Sequence, residues 1–200
     1  MGYSDRFLVV EHPEGAPAQC SPSTPERLAA GVVPLTAAYL DQVRRIERES
    51  FANPWAEDEF RRVLADEDML CLGLREDQEL IGYAVGHADG PELHLASLAI
   101  AAPHRRRGWG GLLLRQVLAE ARRRGCARCR LEVRASNRAA TRLYRSAGFA
   151  QVDRWPAHYV RPREDALVMQ RSLEETDEKQ SSSRPRGGGR AGDAAWPGGD

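Results

Sequence analysis

Apolar residues recur every three or four positions along two long segments of the chain, 36–49 and 108–124. That spacing places them on one face of an α-helix, so we predict a helix in each segment. Two shorter helices are predicted over 58–64 and 137–147. A glycine directly follows the helices predicted at 108–124 and 137–147, a position where glycine commonly terminates a helix.

Seven further segments have the apolar character and the flanking turn residues of β-strands. They are 32–35, 69–75, 79–88, 92–100, 128–133, 149–155 and 166–173. The polar turn at 76–78 joins the second and third strands as a hairpin. The resulting order, βααβββαβαββ, predicts an α/β (α+β) protein with a mixed sheet of six or seven strands and helices on both faces.

The two ends of the chain differ in composition from the segment between them. Residues 1–30 are rich in Pro, Ala, Ser and Gly, and residues 174–200 have almost no apolar side chains. Such segments cannot bury enough apolar surface to offset the entropy lost on ordering, so we predict a disordered arm and a disordered tail. A single domain is predicted over 31–173. No apolar run approaches the roughly 20 residues of a membrane-spanning helix, and residues 1–10 lack a signal-peptide pattern, so we predict a soluble cytoplasmic protein.

The charge composition argues against a general nucleic-acid binder. Lys and Arg together number 29, as do Asp and Glu, so the formal net charge is zero. The arginines at 122–124 and 128 lie at a predicted helix end, where cations are favoured by the helix dipole. We therefore interpret them as a solvated surface rather than an RNA-binding site. Neither nucleic acid nor a membrane is expected as a partner, and we expect a monomer or weak dimer.

Cys126 and Cys129 form an isolated C-x-x-C motif. A structural zinc site needs about four ligands, and neither a second cysteine pair nor a nearby histidine cluster completes one. Metal binding and redox chemistry are alternatives, but we interpret the spacing as fortuitous and expect no metal.

A glycine-rich loop precedes the long helix at 108–124. Glycines occupy positions 108, 110 and 111, directly after three arginines. The first turn of a helix has backbone N–H groups without partners and a partial positive charge, and glycine lets an anion approach them closely. The pattern indicates a phosphate-binding loop, although a basic helix start with no ligand is the alternative. It is not a Walker loop, because no Gly-Lys-Ser/Thr follows, and it lacks the third glycine of a dinucleotide fingerprint.

The strand-to-helix junction at 131–137 has the sequence L-E-V-R-A-S-N and is followed by Y-x-x-x-G-F in the next helix. Glu132 lies between two apolar residues of the strand, a partly desolvated position that suits a general base. Tyr144 has a hydroxyl that could protonate a leaving group. As alternatives, Glu132 pairs with Arg130 or Arg134, and Tyr144 is an amphipathic core residue.

Together, the glycine loop and the L-E-V-R-A-S-N and Y-x-x-x-G-F motifs resemble the GNAT acyltransferases. The resemblance covers residues 31–173 and is most specific for the branch that acetylates the N-terminal alanine of a ribosomal protein, the RimI type. It implies the GNAT fold, acetyl-CoA as co-substrate, no metal, Glu132 as general base and Tyr144 as general acid.

The resemblance also implies a set of residues that bind acetyl-CoA. Pantetheine is expected along the strand that precedes the loop, the pyrophosphate on the loop itself, and a further contact at the start of the next helix. Gly111 departs from many relatives, which carry a basic or small polar residue there. The implied residues are Leu98, Ala99, Ile100, Arg106, Arg107, Gly108, Trp109, Gly110, Gly111 and Asn137.

By the same resemblance, the N-P-W segment at 53–55 and the P-R-E-D-A segment at 162–166 border the peptide entrance. Trp55 and Tyr159 are the expected substrate-binding residues, with simple packing roles as the alternative. His158 and Tyr159 stand where relatives often have a tyrosine pair. The predicted acceptor is a protein α-amine, most specifically an N-terminal alanine. A lysine side chain, a small-molecule amine, or a CoA-binding module without turnover are the alternatives.

Overall fold

The computed structural model describes residues 30–174, which form seven strands and four α-helices. In chain order these are β1 (Gly31–Pro34), α1 (Leu40–Ser50), α2 (Glu57–Ala65), β2 (Met69–Glu76), β3 (Glu79–Asp89), β4 (Glu92–Ile100), α3 (Trp109–Arg123), β5 (Arg128–Arg134), α4 (Arg138–Ser146), β6 (Ala150–Val160) and β7 (Arg163–Ser172). Short 3-10 turns, Ala37–Tyr39 and Ala102–His104, precede α1 and the loop before α3.

All seven strands belong to one sheet in the order β1-β2-β3-β4-β5-β7-β6. Strands β4 and β5 are parallel and are connected through α3, whereas the other neighbouring strands are antiparallel. The predicted mixed sheet and its element order are confirmed.

The helices cover both faces of this sheet. Tyr83 of β3 points to the face covered by α1 and α2, where its hydroxyl contacts Glu47 and its ring packs on Phe60 at 5.8 Å between centroids. Leu98 and Ile100 of β4 point to the opposite face, where they line a cavity with α3 and α4. The apolar core therefore lies in two layers, and the central strands are buried on both sides.

The parallel pair β4–β5 separates soon after it begins. Its register runs only from Glu92↔Arg128 to His94↔Arg130, although both strands continue beyond those residues. On the other edge of β4, Gly86 pairs with Leu95 and Val85 pairs with Ser97, so Ala96 is an extra residue that bends the strand. The result is an opening in the middle of the sheet, directly after His94 and Arg130.

The last hairpin is longer than the sequence predicts. Strand β6 continues to Val160 and β7 begins at Arg163, instead of ending at 155 and beginning at 166. Pro156 interrupts the apolar pattern, but β6 is at the edge of the sheet and its pairing with β7 shifts register between Trp155 and Tyr159. An edge strand tolerates proline at such an irregularity, so the strand is not broken there.

The predicted arm and tail lie almost wholly outside the described residues, and the domain boundaries stay predictions. Within residues 30–174, no helix is both long enough and apolar enough to cross a membrane.

Candidate active site

The opening in the sheet places the two candidate catalytic residues on opposite faces. Residues that pair across strands share a face, and side chains alternate along a strand. His94 pairs with His87, which lies on the Tyr83 face of β3, and with Arg130 on β5. Glu132, two residues after Arg130, therefore points to the side of α1 and α2. Tyr144 belongs to α4 and lines the cavity on the other side.

Glu132 is buried, with 3% of its side chain exposed, and has two basic neighbours. Nε2 of His94 lies 2.5 Å from Oε2 of Glu132, a distance at which the imidazole N–H donates to the carboxylate. Nε of Arg130 lies 3.5 Å from Oε1. Arg134, the other pairing partner considered from the sequence, instead contacts Glu164. The carboxylate is thus held at the point where β4 and β5 separate.

His94 is a functional candidate that the sequence reasoning missed. It is separated from Glu132 by 38 residues, and its place in a strand of alternating polarity carries no catalytic signal. Only the three-residue parallel register of β4 and β5 brings the two side chains together.

Tyr144 is also buried, with 1% exposed, and its ring packs edge-on against Phe149 at 5.7 Å. Burial raises the pKa of the Tyr144 phenol well above its ordinary value, and the nearby Cys129 and Tyr159 act in the same direction. The hydroxyl therefore retains its proton at neutral pH, as a proton donor must.

A cavity of about 190 Å³ lies between β4, the loop before α3, and the first turns of α3 and α4. Seven of its lining residues belong to the set expected to bind acetyl-CoA: Leu98, Ile100, Arg106, Gly108, Trp109, Gly110 and Gly111. The remaining lining residues are His104, Arg105, Ala139, Ala140, Leu143 and Tyr144.

The start of α3 has the properties of an anion site. Gly108 is the N-cap and has φ +86°, a left-handed conformation that glycine adopts without strain. No side chain caps the helix, and no acidic residue lies in its first turn. The first backbone N–H with a partner in the helix ladder is that of Leu112, which donates to the Gly108 carbonyl. The N–H groups of the first turn are therefore available to a phosphate.

The glycines at 110 and 111 are not required by packing within the chain. A Cβ at Gly110 would lie 3.4 Å from Cδ2 of Leu143, and one at Gly111 would lie 3.5 Å from a flexible Arg115 nitrogen. Both are ordinary van der Waals distances. The backbone at both glycines has no Cβ that would block the close approach of a ligand, so the residues present fit the nucleotide end of an acyl-CoA.

Three residues of the expected acetyl-CoA set do not line the cavity. Ala99 pairs with Tyr83 and therefore lies on the opposite face of the sheet. Arg107 is exposed beside the loop. Asn137 caps α4, with Oδ1 accepting from the Ala140 N–H at 3.0 Å, and its buried Nδ2 has no hydrogen-bond partner.

Arg105 anchors the loop before α3 to its neighbours, a role that the sequence did not predict. Its Nε donates to the Ile100 carbonyl at 2.8 Å, and a terminal nitrogen donates to Oγ of Ser50 at 2.9 Å. Burial lowers the pKa of Arg105, although it stays charged. Arg105 therefore ties the loop to both β4 and α1. The phosphate contacts expected from the sequence stay assigned to Arg106 and Arg107.

On the acceptor side, Trp55 follows α1 and is partly buried. Its backbone N–H donates to Oε1 of Glu47 at 2.9 Å, and its ring packs on Phe60 at 5.2 Å between centroids. Glu47 also accepts from the Tyr83 hydroxyl, which lies 3.1 Å from Oγ of Ser97. The backbone of the loop that carries Trp55 is thus anchored to the buried carboxyl group of Glu47.

Tyr159 lies near the turn between β6 and β7 and is 2% exposed. The guanidinium of Arg134 lies 4.2 Å from the centre of its ring. The turn contacts the Trp55 loop directly, because Nδ2 of Asn53 donates to the Arg161 carbonyl at 3.4 Å. The two segments expected at the peptide entrance are therefore adjacent.

Among residues 30–174, no group of three or more His, Cys, Asp or Glu side chains is arranged to hold a metal. Cys126 and Cys129 are free thiols, and burial raises the pKa of Cys129 to about 12. Cys129 is therefore protonated at neutral pH and is a poor metal ligand or nucleophile.

Comparison with known proteins places this geometry in a family. A model of the Acetyltransferase (GNAT) family matches residues 40–149. The [ribosomal protein bS18]-alanine N-acetyltransferase of Escherichia coli (strain K12) is 34% identical over 137 residues, which cover 68% of this chain and 88% of that protein. An uncharacterized protein of Mycobacterium leprae (strain TN) is 34% identical over 146 residues, 70% of this chain, but the match spans only 40% of that longer protein.

The solved structures agree with the sequence comparisons. The crystal structure of the ribosomal-protein-S18-alanine N-acetyltransferase from Escherichia coli superimposes with a TM-score of 0.69 at 30% identity, covering 76% of this chain and 98% of that one. The chain therefore belongs to the GNAT family of acyl-CoA-dependent N-acetyltransferases, and within it to the RimI type.

Proposed function

We propose that the chain transfers an acetyl group from acetyl-CoA to a protein N-terminal α-amine, with the N-terminal alanine of a small-subunit ribosomal protein as the best candidate. One observation carries the proposal. The sheet opens after His94 and Arg130, with Glu132 on the face of α1 and α2 and with the cavity and Tyr144 on the face of α3 and α4. A donor and an acceptor entering from opposite faces would meet in this opening.

The cavity residues hold the donor. The free N–H groups at the start of α3, with Arg106 and Arg107, bind its pyrophosphate through charge-assisted hydrogen bonds. The apolar side chains of Leu98, Ile100 and Leu143 line the path toward the opening and exclude water from it. When bound, acetyl-CoA supplies a thioester-activated acetyl group.

Glu132 acts as the general base toward the acceptor amine. An α-amine has a pKa near 8, so about 10% is neutral at pH 7, whereas well under about 0.1% of a lysine side chain is neutral. The base therefore has less work to do for an N-terminus than for a lysine. His94 and Arg130 hold the Glu132 carboxylate in place at the opening of the sheet, and its burial keeps it away from bulk solvent.

Tyr144 acts as the general acid. Its raised pKa keeps the phenol protonated until the sulfur departs, and Tyr144 lines the cavity in which the donor would lie. Base and acid thus act on opposite sides of the acyl group, and neither side chain has to move between faces.

The acceptor assignment is supported by the names of relatives, several of which are [ribosomal protein bS18]-alanine N-acetyltransferases. The amine approaches between the Trp55 loop and the turn after β6, which touch through Asn53 and the Arg161 carbonyl. A closely walled entrance of this kind suits a small first residue.

Two peptides of equal sequence test the proposal. Both contain one internal lysine; one has a free N-terminal alanine, and the N-terminus of the other is blocked. Mass spectrometry after incubation with acetyl-CoA should show preferential acetylation of the free alanine. Faster modification of the blocked lysine peptide would contradict the α-amine assignment, and modification of neither, with acetyl-CoA bound, would favour a binding module or a small-molecule acceptor.

A further inference from the structure

Arg134 is the largest fully buried side chain of the described residues, with 2% exposed. A buried guanidinium is costly unless its donors are satisfied. One terminal nitrogen donates to the Arg161 carbonyl at 2.9 Å, and the other donates to the Pro162 carbonyl at 3.1 Å and to Oε2 of Glu164 at 3.3 Å. The side chain therefore uses its planar fork to hold two successive carbonyls of one turn.

The same guanidinium also fixes the ring beside that turn. It lies over Tyr159 at 4.2 Å, in the geometry of a cation–π contact. Glu164 extends the connection, because its Oε1 accepts from the Ser136 N–H at 2.5 Å. Although burial acts in the opposite direction, these hydrogen bonds from Ser136 and Arg134 lower the pKa of Glu164, so the ion pair is maintained at neutral pH.

Arg134 connects this turn to the catalytic strand. It is two residues from Glu132 and lies on the same face of β5. The turn that it holds contacts Asn53 of the opposite wall through the Arg161 carbonyl. Arg134 is therefore bonded to one wall of the entrance and lies on the same strand face as the candidate base.

We propose that Arg134 is a positioning residue that sets the width of the acceptor pocket, and so its selection of a small first residue, by holding Tyr159 and the turn at 161–162. This inference rests on the proposed α-amine acceptor. Lysine does not reproduce this role, because it lacks the planar fork with which arginine reaches two carbonyls and lies over a ring at the same time.

The test compares Arg134→Lys with wild type and with Arg171→Lys as control. Arg171 also donates to a backbone carbonyl, that of Ala147, but it lies away from the acceptor pocket. The measurement is the ratio of kcat/KM for a peptide that begins with alanine to that for a peptide that begins with leucine. A ratio of rates does not depend on the fraction of enzyme that is folded, so it separates positioning from general stability.

Arg134→Lys should lower this ratio by about tenfold, the usual scale of discrimination by a hydrophobic pocket. The KM for acetyl-CoA and the ratio in Arg171→Lys should be unchanged. If Arg134→Lys does not fold, Glu164→Gln, which removes the negative charge beside the guanidinium and leaves one side-chain oxygen for both Arg134 and Ser136, should lower the ratio in the same direction. An unchanged ratio in a folded Arg134→Lys or Glu164→Gln enzyme overturns the inference.

Hydrogen exchange of the full chain separates this inference from the proposed function. In Arg134→Lys, amide exchange should increase at least threefold across 159–164 and stay at the wild-type level across 98–111. If wild type acetylates no α-amine but exchange increases in this way, the acceptor proposal fails and the positioning role stands. Unaltered exchange at 159–164 overturns the positioning role whatever the acceptor.

Discussion

Nε2 of His94 lies 2.5 Å from Oε2 of Glu132. His94 itself pairs with Arg130, and this is the last residue pair before β4 and β5 separate. The hydrogen bond restricts the carboxylate to one orientation at the opening. Because Glu132 is buried, loss of this partner leaves a carboxylate oxygen without a donor in a partly desolvated site.

We expect His94→Ala to reduce kcat by about ten- to a hundredfold, the scale associated with misplacing a catalytic group by about 1 Å. The KM for acetyl-CoA should change little, because His94 does not line the cavity. Steady-state kinetics with saturating peptide check this, with His87→Ala as a control on the neighbouring strand. A wild-type kcat in folded His94→Ala would show that Glu132 needs no orientation by His94.

Glu132→Gln should lower the rate at neutral pH by roughly 10² or more, since a general base typically contributes that much. The loss should be smallest at high pH, where the acceptor amine deprotonates without help. Rates measured from pH 6 to 10 test both statements. Glu92→Gln, which alters another carboxylate paired with an arginine on the neighbouring strand, should retain activity. A pH-independent loss in Glu132→Gln would contradict the role as base.

Tyr144→Phe removes only the hydroxyl and preserves the packing against Phe149. We expect slower thiolate departure and therefore a lower kcat, with the Kd for acetyl-CoA nearly unchanged. Single-turnover kinetics and calorimetry separate the two quantities. Turnover at the wild-type rate would assign Tyr144 a packing role.

Gly110→Asp should weaken acetyl-CoA binding by well over about tenfold, more than roughly 1.4 kcal/mol, because it places a carboxylate where the pyrophosphate is expected. Gly110→Ala is the matched control, since a Cβ there meets Leu143 at an ordinary distance of 3.4 Å. It should bind within a few-fold of wild type. Calorimetry showing equal affinity for both folded variants would place the phosphates elsewhere.

Burial of Glu47 makes the stability of the fold depend on pH. Burial raises the pKa of Glu47 from 4.5 to about 7, against the lowering effect of the hydrogen bonds from Tyr83 and Trp55. Between these values the folded protein binds more protons than the unfolded chain, so this contribution to stability is full below pH 4.5 and is lost as pH rises to about 7.

Glu47→Gln removes this titration while keeping an oxygen to accept from the Trp55 N–H. Relative to wild type, the variant should lose less stability between pH 5 and pH 8, by an amount on the order of 2 kcal/mol. Urea unfolding at both pH values measures the difference. An identical pH dependence in the two proteins would show that Glu47 is ionised throughout this range.

Local patterns predicted the elements whose ends depend on neighbouring residues. The helix predicted at 108–124 is Trp109–Arg123, and the strand predicted at 92–100 is Glu92–Ile100. Apolar periodicity, a glycine at the helix end and a proline after the strand are properties of contiguous residues, and each acts through backbone conformation alone. The candidate base, acid and phosphate loop could be proposed from the sequence for the same reason, because each belongs to a short contiguous motif.

Tertiary structure alone decided what surrounds those residues. The sequence offered Arg130 and Arg134 equally as partners of Glu132, but the register of β5 leaves Arg130 within 3.5 Å of the carboxylate and directs Arg134 to the turn after β6. His94 reaches Glu132 only because β4 and β5 pair in parallel for three residues and then diverge. Such contacts join residues tens of positions apart, and they depend on strand register and on a bulge whose energies are set by packing across the sheet rather than by the local sequence.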